Sequence, residues 1–459
     1  MMPKDFIQRM KALLGDEYEA FAEAMEATPT VSIRLNPKKT YDLPDNATPV
    51  PWCKEGFYLP KRPAFTFDPL FHAGAYYVQE ASSMFLEQAL TTVFADAPSA
   101  PTGYADVPSA SICLDLCASP GGKSTHLQSL LPSGSLLVSN EVIRNRCMTL
   151  AENMTKWGFP DQIITNSDPK AFARLPQLFD IIIADLPCSG EGMFRKDIPS
   201  RDGWSLALVR QNAARQRRII CDVWSALKPG GWLIYSTCTF NTEENEENIL
   251  YISERLGAEI IPIPAKPEWK ISGALLPTIP AYRFFPHRTA GEGFFIALLR
   301  KKSGDSIEEK PKPHRIQPKR PPNIPIGIKN RLIYPERFFF YVHGSTVHAI
   351  QKKHVPLYRL LSENLHIVSA GLAIGDCKGS DFIPSTALAM SVELRRDTFP
   401  TETLSDEEAI RYLRKEAIRL PENTHKGYIL ITSKNTPLGF VKNIGPRANN
   451  LYPPTWRIL

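Results

Sequence analysis

The stretch Ser111-Ile112-Cys113-Leu114-Asp115-Leu116-Cys117-Ala118-Ser119-Pro120-Gly121-Gly122-Lys123 decides how this chain folds. An apolar run of strand type ends in Asp115 and Cys117, and Pro120-Gly121-Gly122 turns the chain into a predicted helix. Glycines leave bare backbone where side chains would block a ligand, and the first amides of the helix can face that ligand. The loop lacks the Gly-x-x-x-x-Gly-Lys-Ser/Thr spacing of a phosphate-binding loop. Alone, it would also serve as a plain structural turn.

Outward from this turn, Ser111–Leu116, 135–139, 162–165, 180–184 and 232–236 are near-continuous apolar runs separated by helical segments. Strands covered on both faces read this way, so a parallel α/β sheet is expected. A crossover helix is predicted over 210–227, ended by Lys228-Pro229-Gly230-Gly231, and 294–299 gives a last, antiparallel strand. Acids sit at successive strand ends. Glu141 lies just past the second strand, about 20 residues beyond the glycines, where an acid can hold ribose hydroxyls. Asp168 ends the third strand, placed to face an adenine amino group, and Asp185 ends the fourth. With Lys123 the only base in the loop, the series suits an adenosine-containing cofactor without phosphates.

Two cysteines follow apolar runs downstream: Cys188 in Asp185-Leu186-Pro187-Cys188-Ser189-Gly190-Glu191-Gly192, and Cys238 in Tyr235-Ser236-Thr237-Cys238-Thr239-Phe240. Amino-directed methyltransferases carry a Pro-Pro-aromatic run where this chain has Pro-Cys. If the two strands are neighbours, both thiols emerge at one sheet edge beside the cofactor, which suggests attack on a pyrimidine ring carbon. A cysteine acts as a nucleophile only as thiolate, and most buried cysteines are inert. The position at strand ends is what singles these two out. The acidic run after Cys238 reads as a helix start suited to the positive end of the helix dipole.

A length of 459 residues implies two or three domains, and 43% hydrophobic residues imply folded ones. From Lys301 onward the chain carries 25 Lys and Arg against 15 Asp and Glu, whereas the first 300 residues carry 29 against 33. A basic final third fits contact with phosphates, or merely a soluble basic surface. Helical spacing from Phe6 to Phe21, the alternation of 31–35 and a Pro-rich stretch mark residues 1–70 as a small accessory module. Residues 71–300 hold the sheet. Residues 301–325, with six prolines, read as a linker, and 326–459 as an α+β unit whose helix opens on the capping box Ser405/Glu408 and runs through Ile418. No internal repeat is present. The eight cysteines form no Cys-x-x-Cys pair, so no metal is expected. Free thiols and the lack of an apolar signal or membrane-length run imply a cytoplasmic protein.

Taken together these motifs resemble the RNA cytosine-5 methyltransferases of the Sun/Fmu type. The likeness also takes in His72-Ala73-Gly74, Tyr76–Ser83 as a lead-in helix, Arg283–Arg288 and Gly291–Phe295. The usual Ala-Pro-Gly-Gly-Lys is here Ser119-Pro120-Gly121-Gly122-Lys123. The resemblance implies a Rossmann-like class I domain with a mostly parallel seven-stranded sheet, and S-adenosylmethionine bound by Cys117, Ala118, Ser119, Pro120, Gly121, Gly122, Lys123, Glu141, Asp168 and Asp185. It implies that Cys238 attacks carbon 6 of a flipped cytosine, that Asp185 steadies the ring, and that Cys188 assists proton removal and product release. The stretches 371–375, 382–390, 439–442 and 452–457 resemble the tail and PUA-like RNA-binding domain of RsmF-type small-subunit rRNA methyltransferases. That likeness implies 16S ribosomal RNA as partner, bound by a monomer through both the N-terminal module and the tail. The alternatives are a transfer-RNA enzyme of the same family and a non-catalytic assembly factor.

Overall fold

The first apolar stripe of the chain, Phe6, Met10, Phe21 and Met25, is carried by two helices, Lys4–Leu14 and Tyr18–Glu26. Gly15 divides them with a left-handed φ of 53°, a conformation that stops a helix. The computed structural model describes residues 2–96, 110–276, 279–303, 324–379 and 381–459, so most of the expected linker lies outside the described residues. The helical stripe packs on Phe194, Trp204, Phe240 and Phe285, far along the chain. An antiparallel sheet follows, with strands β1 (Val31–Leu35), β2 (Thr48–Pro49), β3 (Gly56–Leu59) and β4 (Tyr76–Val78) in the order β2-β3-β1-β4. The N-terminal module therefore extends past its expected end at 70, and Tyr76–Val78 is a strand where a helix was expected.

This module is locked to its neighbour at Gly74. Asn36 Nδ2 donates to the carbonyls of Gly74 and Trp157 at 3.0 and 2.9 Å. Gly74 has φ +68°, and a Cβ there would lie 2.0 Å from the carbonyl oxygen of Lys156. Gly74→Ala adds backbone strain to that clash, so unfolding should show a loss of at least about 1–3 kcal/mol. A denaturation midpoint equal to wild type would contradict this.

The central sheet is built from β5 (Ile112–Asp115), β6 (Leu136–Asn140), β7 (Gln162–Thr165), β8 (Phe179–Asp185) and β9 (Leu227–Thr237), all parallel. Antiparallel β10 (Ala258–Ile261), β11 (Ser272–Gly273), β12 (Ala281–Phe284) and β13 (Phe294–Lys301) extend it beyond β9. Side chains alternate between faces: Leu114 and Leu116 enter one core and Cys113 the other. The helix Leu206–Val223 crosses from β8 to β9. It ends at a 3-10 turn, Trp224–Ala226, and the predicted stop signal 228–231 lies inside β9. The strand order β13-β9-β8-β5-β6-β7 reverses direction at β5. That reversal opens a crevice at the carboxyl ends of the strands, where ligands of open α/β sheets bind. The glycine-rich turn follows β5.

The C-terminal part contains β14 (Phe338–His343), β15 (Thr346–Gln351), β16 (Ile367–Ala370), β17 (Leu372–Lys378) and β18 (Asp381–Pro384). It continues with β19 (Thr401–Leu404), β20 (Gly427–Ser433), β21 (Thr436–Asn443) and β22 (Ala448–Asn450). Two four-stranded sheets form, β14-β15-β17-β18 and β19-β20-β21-β22. β16 belongs to neither. It pairs antiparallel with β7 and brings the central sheet to ten strands instead of seven. The helix Val355–Asn364 puts Leu360 and Leu361 into the same core as Leu136 and Ile163. The expected division at 326 thus does not hold for 355–370. The physical reason is the open edge of β7, which a strand from the tail covers. The capping box at Ser405/Glu408 is present, but its helix ends at Leu413, and Lys415 takes a positive φ of 60° before Ile418.

Candidate active site

Two cavities meet at the crevice. One, about 470 Å³, runs over the ends of β6, β7 and β8 and is lined by Glu141, Asp168, Asp185, Cys188 and two arginines, Arg215 and Arg218. The other, about 410 Å³, lies between the central sheet and the N-terminal module and is lined by Asp115, Lys123, Asp185, Phe294 and Tyr77. Cys117, Ser119, Asp185 and Cys238 border both.

Parallel pairing of β8 with β9 sets Asp185 opposite Ser236, so the segments after them leave the sheet side by side. Cys188 Sγ and Cys238 Sγ lie 3.2 Å apart. Lys123 Nζ donates to Asp185 Oδ2 at 2.8 Å, and Ser236 Oγ donates to Oδ1 at 2.7 Å. Cys238 next to it, and then burial, hold the Cys188 thiol well above its ordinary value. Burial lowers the pKa of the Lys123 ammonium, but Asp185, Asp115 and Cys238 outweigh it and keep the group charged. Asp115 accepts from Ser124 Oγ at 2.6 Å and is raised by burial to about 7.

The expected cofactor residues divide between the cavities. Cys117, Ser119, Glu141, Asp168 and Asp185 line the first, while Ala118, Pro120, Gly122 and Lys123 line the second. Gly121 lines neither; its φ of 113° makes the turn. Lys123 thus faces the thiol side through Asp185. Glu141 is buried, with Oε1 accepting from the amide of Ile143, and Asp168 accepts from the amide of Lys170. Acids from the ends of β6 and β7 fit the hydroxyl and amino groups of a nucleoside, and Arg215 and Arg218 from the helix after β8 fit a carboxylate at the cofactor's other end.

Sequence reasoning missed the arginines and also the work of the acidic run. Glu243 pairs with Arg9, Glu244 faces the Cys188 loop, and Glu246 pairs with buried Arg283. Only the last opens the helix Glu246–Leu256. Charge spacing along the run gave no sign of these distant partners. A third group, Cys53, Glu87 and His126, is gathered between the N-terminal module and the sheet. His126 Nε2 lies 3.2 Å from Glu87 and 3.7 Å from Cys53 Sγ. None of the three lines either cavity.

A doubly wound sheet with an acid-lined crevice at its switch point and two thiols beside it fits a class I methyltransferase. Three family models match the chain: "16S rRNA methyltransferase RsmB/F" over 106–300, the N-terminal domain of RsmF over 2–81 and the RsmF PUA domain over 399–458. The chain thus matches domains of the RsmB/RsmF family of S-adenosylmethionine-dependent methyltransferases in its N-terminal, central and C-terminal parts. Among its relatives, ribosomal RNA small subunit methyltransferase F of Erwinia tasmaniensis is 28% identical, the alignment covering 98% of this chain and 96% of the relative. The protein of the same name from Salmonella heidelberg is 29% identical over 98% and 95%. Among solved structures, a methyltransferase homolog protein from Pyrococcus horikoshii superposes with a TM-score of 0.53 at 28% identity, covering 65% of this chain and 95% of that one.

Proposed function

We propose that this chain methylates carbon 5 of a cytosine in 16S ribosomal RNA, with Cys238 as nucleophile and Cys188 as the residue that releases the product. The observation that carries the reading is the sulfur pair 3.2 Å apart at the junction of the two cavities. Cys238 gives its proton to solvent and its sulfur forms a bond to carbon 6, the carbon 5–carbon 6 double bond opening so that its electron pair moves to carbon 5. Asp185, held by Lys123 and Ser236, accepts a hydrogen bond from the base edge and keeps a face of the ring turned toward the attacking sulfur. S-adenosylmethionine, when bound in the first cavity, supplies the methyl group that carbon 5 takes up. Once the Cys238 sulfur is bonded and neutral, the largest influence holding the proton on Cys188 is gone, and that proton passes to solvent. The Cys188 thiolate then takes the proton from carbon 5, the carbon–sulfur bond breaks, and Cys238 leaves as thiolate. Splitting one hard substitution into an addition and an elimination lowers the barrier to each.

RNA as the substrate class is supported by a groove of about 900 Å³ between the N-terminal module and the site, lined by Lys61, Arg62, Arg195, Lys196 and Tyr58. Arg195 and Lys196 both pair with buried Glu292, which leaves Lys61 and Arg62 for phosphates. Thr30, Val31, Arg62 and Lys196 also line the second cavity, which Cys238 borders, so the groove leads to it. The basic tail adds a second grip. Small-subunit RNA is supported by the names of the matching family models and relatives. Both thiols and both cavities come from one chain, which suits a monomer. No helix among the described residues is long and apolar enough to cross a membrane, and we place the enzyme in the cytoplasm with its RNA.

The test is methyl transfer from labelled S-adenosylmethionine, followed by bisulfite sequencing. 16S rRNA from a strain lacking the protein should accept methyl groups, and 16S rRNA from the parent strain should not. Labelling of transfer RNA alone would overturn the substrate.

A further inference from the structure

We infer that Glu191 and Glu244 are positioning residues that set the distance between the two catalytic sulfurs, each clasping the other cysteine's loop. The inference rests on the two-thiol reading above and adds a determinant to it. Glu191 lies three residues past Cys188 and reaches across: Oε2 accepts from the amides of Phe240 and Asn241 at 2.8 and 3.0 Å. Its Oε1 accepts from Trp204 Nε1 at 3.1 Å. Glu244 lies six residues past Cys238 and reaches back. Its Oε2 accepts from the amide of Ser189 at 3.0 Å and from Gln216 Nε2 at 2.8 Å. Asn241 Nδ2 donates to both, at 3.2 Å to Glu191 and 2.8 Å to Glu244.

Both carboxylates are buried, at 2% and 0% exposure, and among the described residues neither has an ion-pair partner. Burying a charge without a counter-ion is costly unless hydrogen bonds satisfy it, and here neutral N–H groups do so alone. A simple loop anchor would not need two such charges. Ionised carboxylates are acceptors only, with room for several donors on each. A glutamine in either place would turn an N–H₂ group toward other N–H groups. The clasp thus fixes two backbones together more firmly than the neutral crossings beside it, Gly192 N to the carbonyl of Cys238 at 2.9 Å and Ser189 Oγ with Thr239 Oγ1 at 2.8 Å.

The two steps of the reaction differ in their need for this spacing. Attack needs Cys238 alone, whereas release needs Cys188 to reach carbon 5 while Cys238 is bonded to carbon 6. Glu191→Gln and Glu244→Gln should therefore slow release while sparing attack.

The spacing can be read without RNA. Phenylarsine oxide joins two thiols held close together: its arsenic–oxygen bond breaks, two arsenic–sulfur bonds form, and the two thiol protons leave with the oxygen as water. In the full-length chain either Gln variant should bind the arsenical at least about tenfold more weakly, while alkylation of Cys238 by iodoacetamide keeps its wild-type rate. With RNA, the first turnover should hold near wild type. Steady-state kcat should fall by up to about a hundredfold, the scale of a one-ångström misplacement, and a covalent enzyme–RNA band should grow on a denaturing gel. If the Gln variants do not fold, Glu191→Asp and Glu244→Asp keep the charge but shorten the reach, and the same readouts apply. Unchanged arsenical affinity, or attack and release falling together, would overturn the clasp. An arsenical effect without any RNA effect would sustain the spacing role and count against the two-thiol reading instead.

Discussion

Cys238→Ala is expected to abolish methyl transfer, lowering turnover by at least about 10⁴-fold, the scale on which removal of a nucleophile is felt. The cofactor should still bind with wild-type affinity by calorimetry, because Glu141 and Asp168 hang from β6 and β7, whereas the lost sulfur follows β9. No covalent species with RNA should form, even with a 5-fluorocytosine substrate that traps the normal enzyme. Retained turnover would move the nucleophile elsewhere, with Cys188 the first candidate at 3.2 Å.

Cys188→Ala is expected to behave in the opposite way. The first methyl group is transferred, and the enzyme then stays on its product because no thiolate takes the proton from carbon 5. A slower band of enzyme plus RNA should persist on a denaturing gel, and steady-state turnover should fall by about 10²–10⁴-fold, the usual contribution of a positioned general base. The step should also depend on pH in the wild type. With Cys238 bonded to the base, burial still disfavours the Cys188 thiolate, so release should quicken as pH rises and the thiolate becomes available. A double variant with Cys238→Ala should show no band at all. Absence of the band in Cys188→Ala would remove the release role and leave the close sulfur pair without a function in this reaction.

Much of this was legible in the residues. Near-continuous apolar runs marked five of the central strands, because strands buried on both faces have no polar side to obscure them. The turn after β5 and the thiols after β8 and β9 were legible for the same reason: each ends such a run. The legible part stopped where partners lie far apart in sequence. Glu244 sits in an acidic run that could be a helix start and nothing more; its meaning depends on Ser189, 55 residues away. Lys123 belongs to the glycine loop by sequence and faces the thiol cavity in space, because the first turn of its helix points it at Asp185. β16 is four residues long and follows the helix Val355–Asn364, so nothing local assigned it to the edge of a sheet that begins at Ile112. Gly15 and Lys415 ended helices that periodicity alone carried on.

That borrowed strand has a mechanical outcome. With Ile367–Ala370 hydrogen-bonded to β7, the tail is braced against the same slab that carries the two sulfurs. A grip of the tail on RNA, as proposed above, would then stand at a span fixed by the slab. Such a molecule would work as a caliper, with rigid geometry setting which nucleotide reaches the jaws.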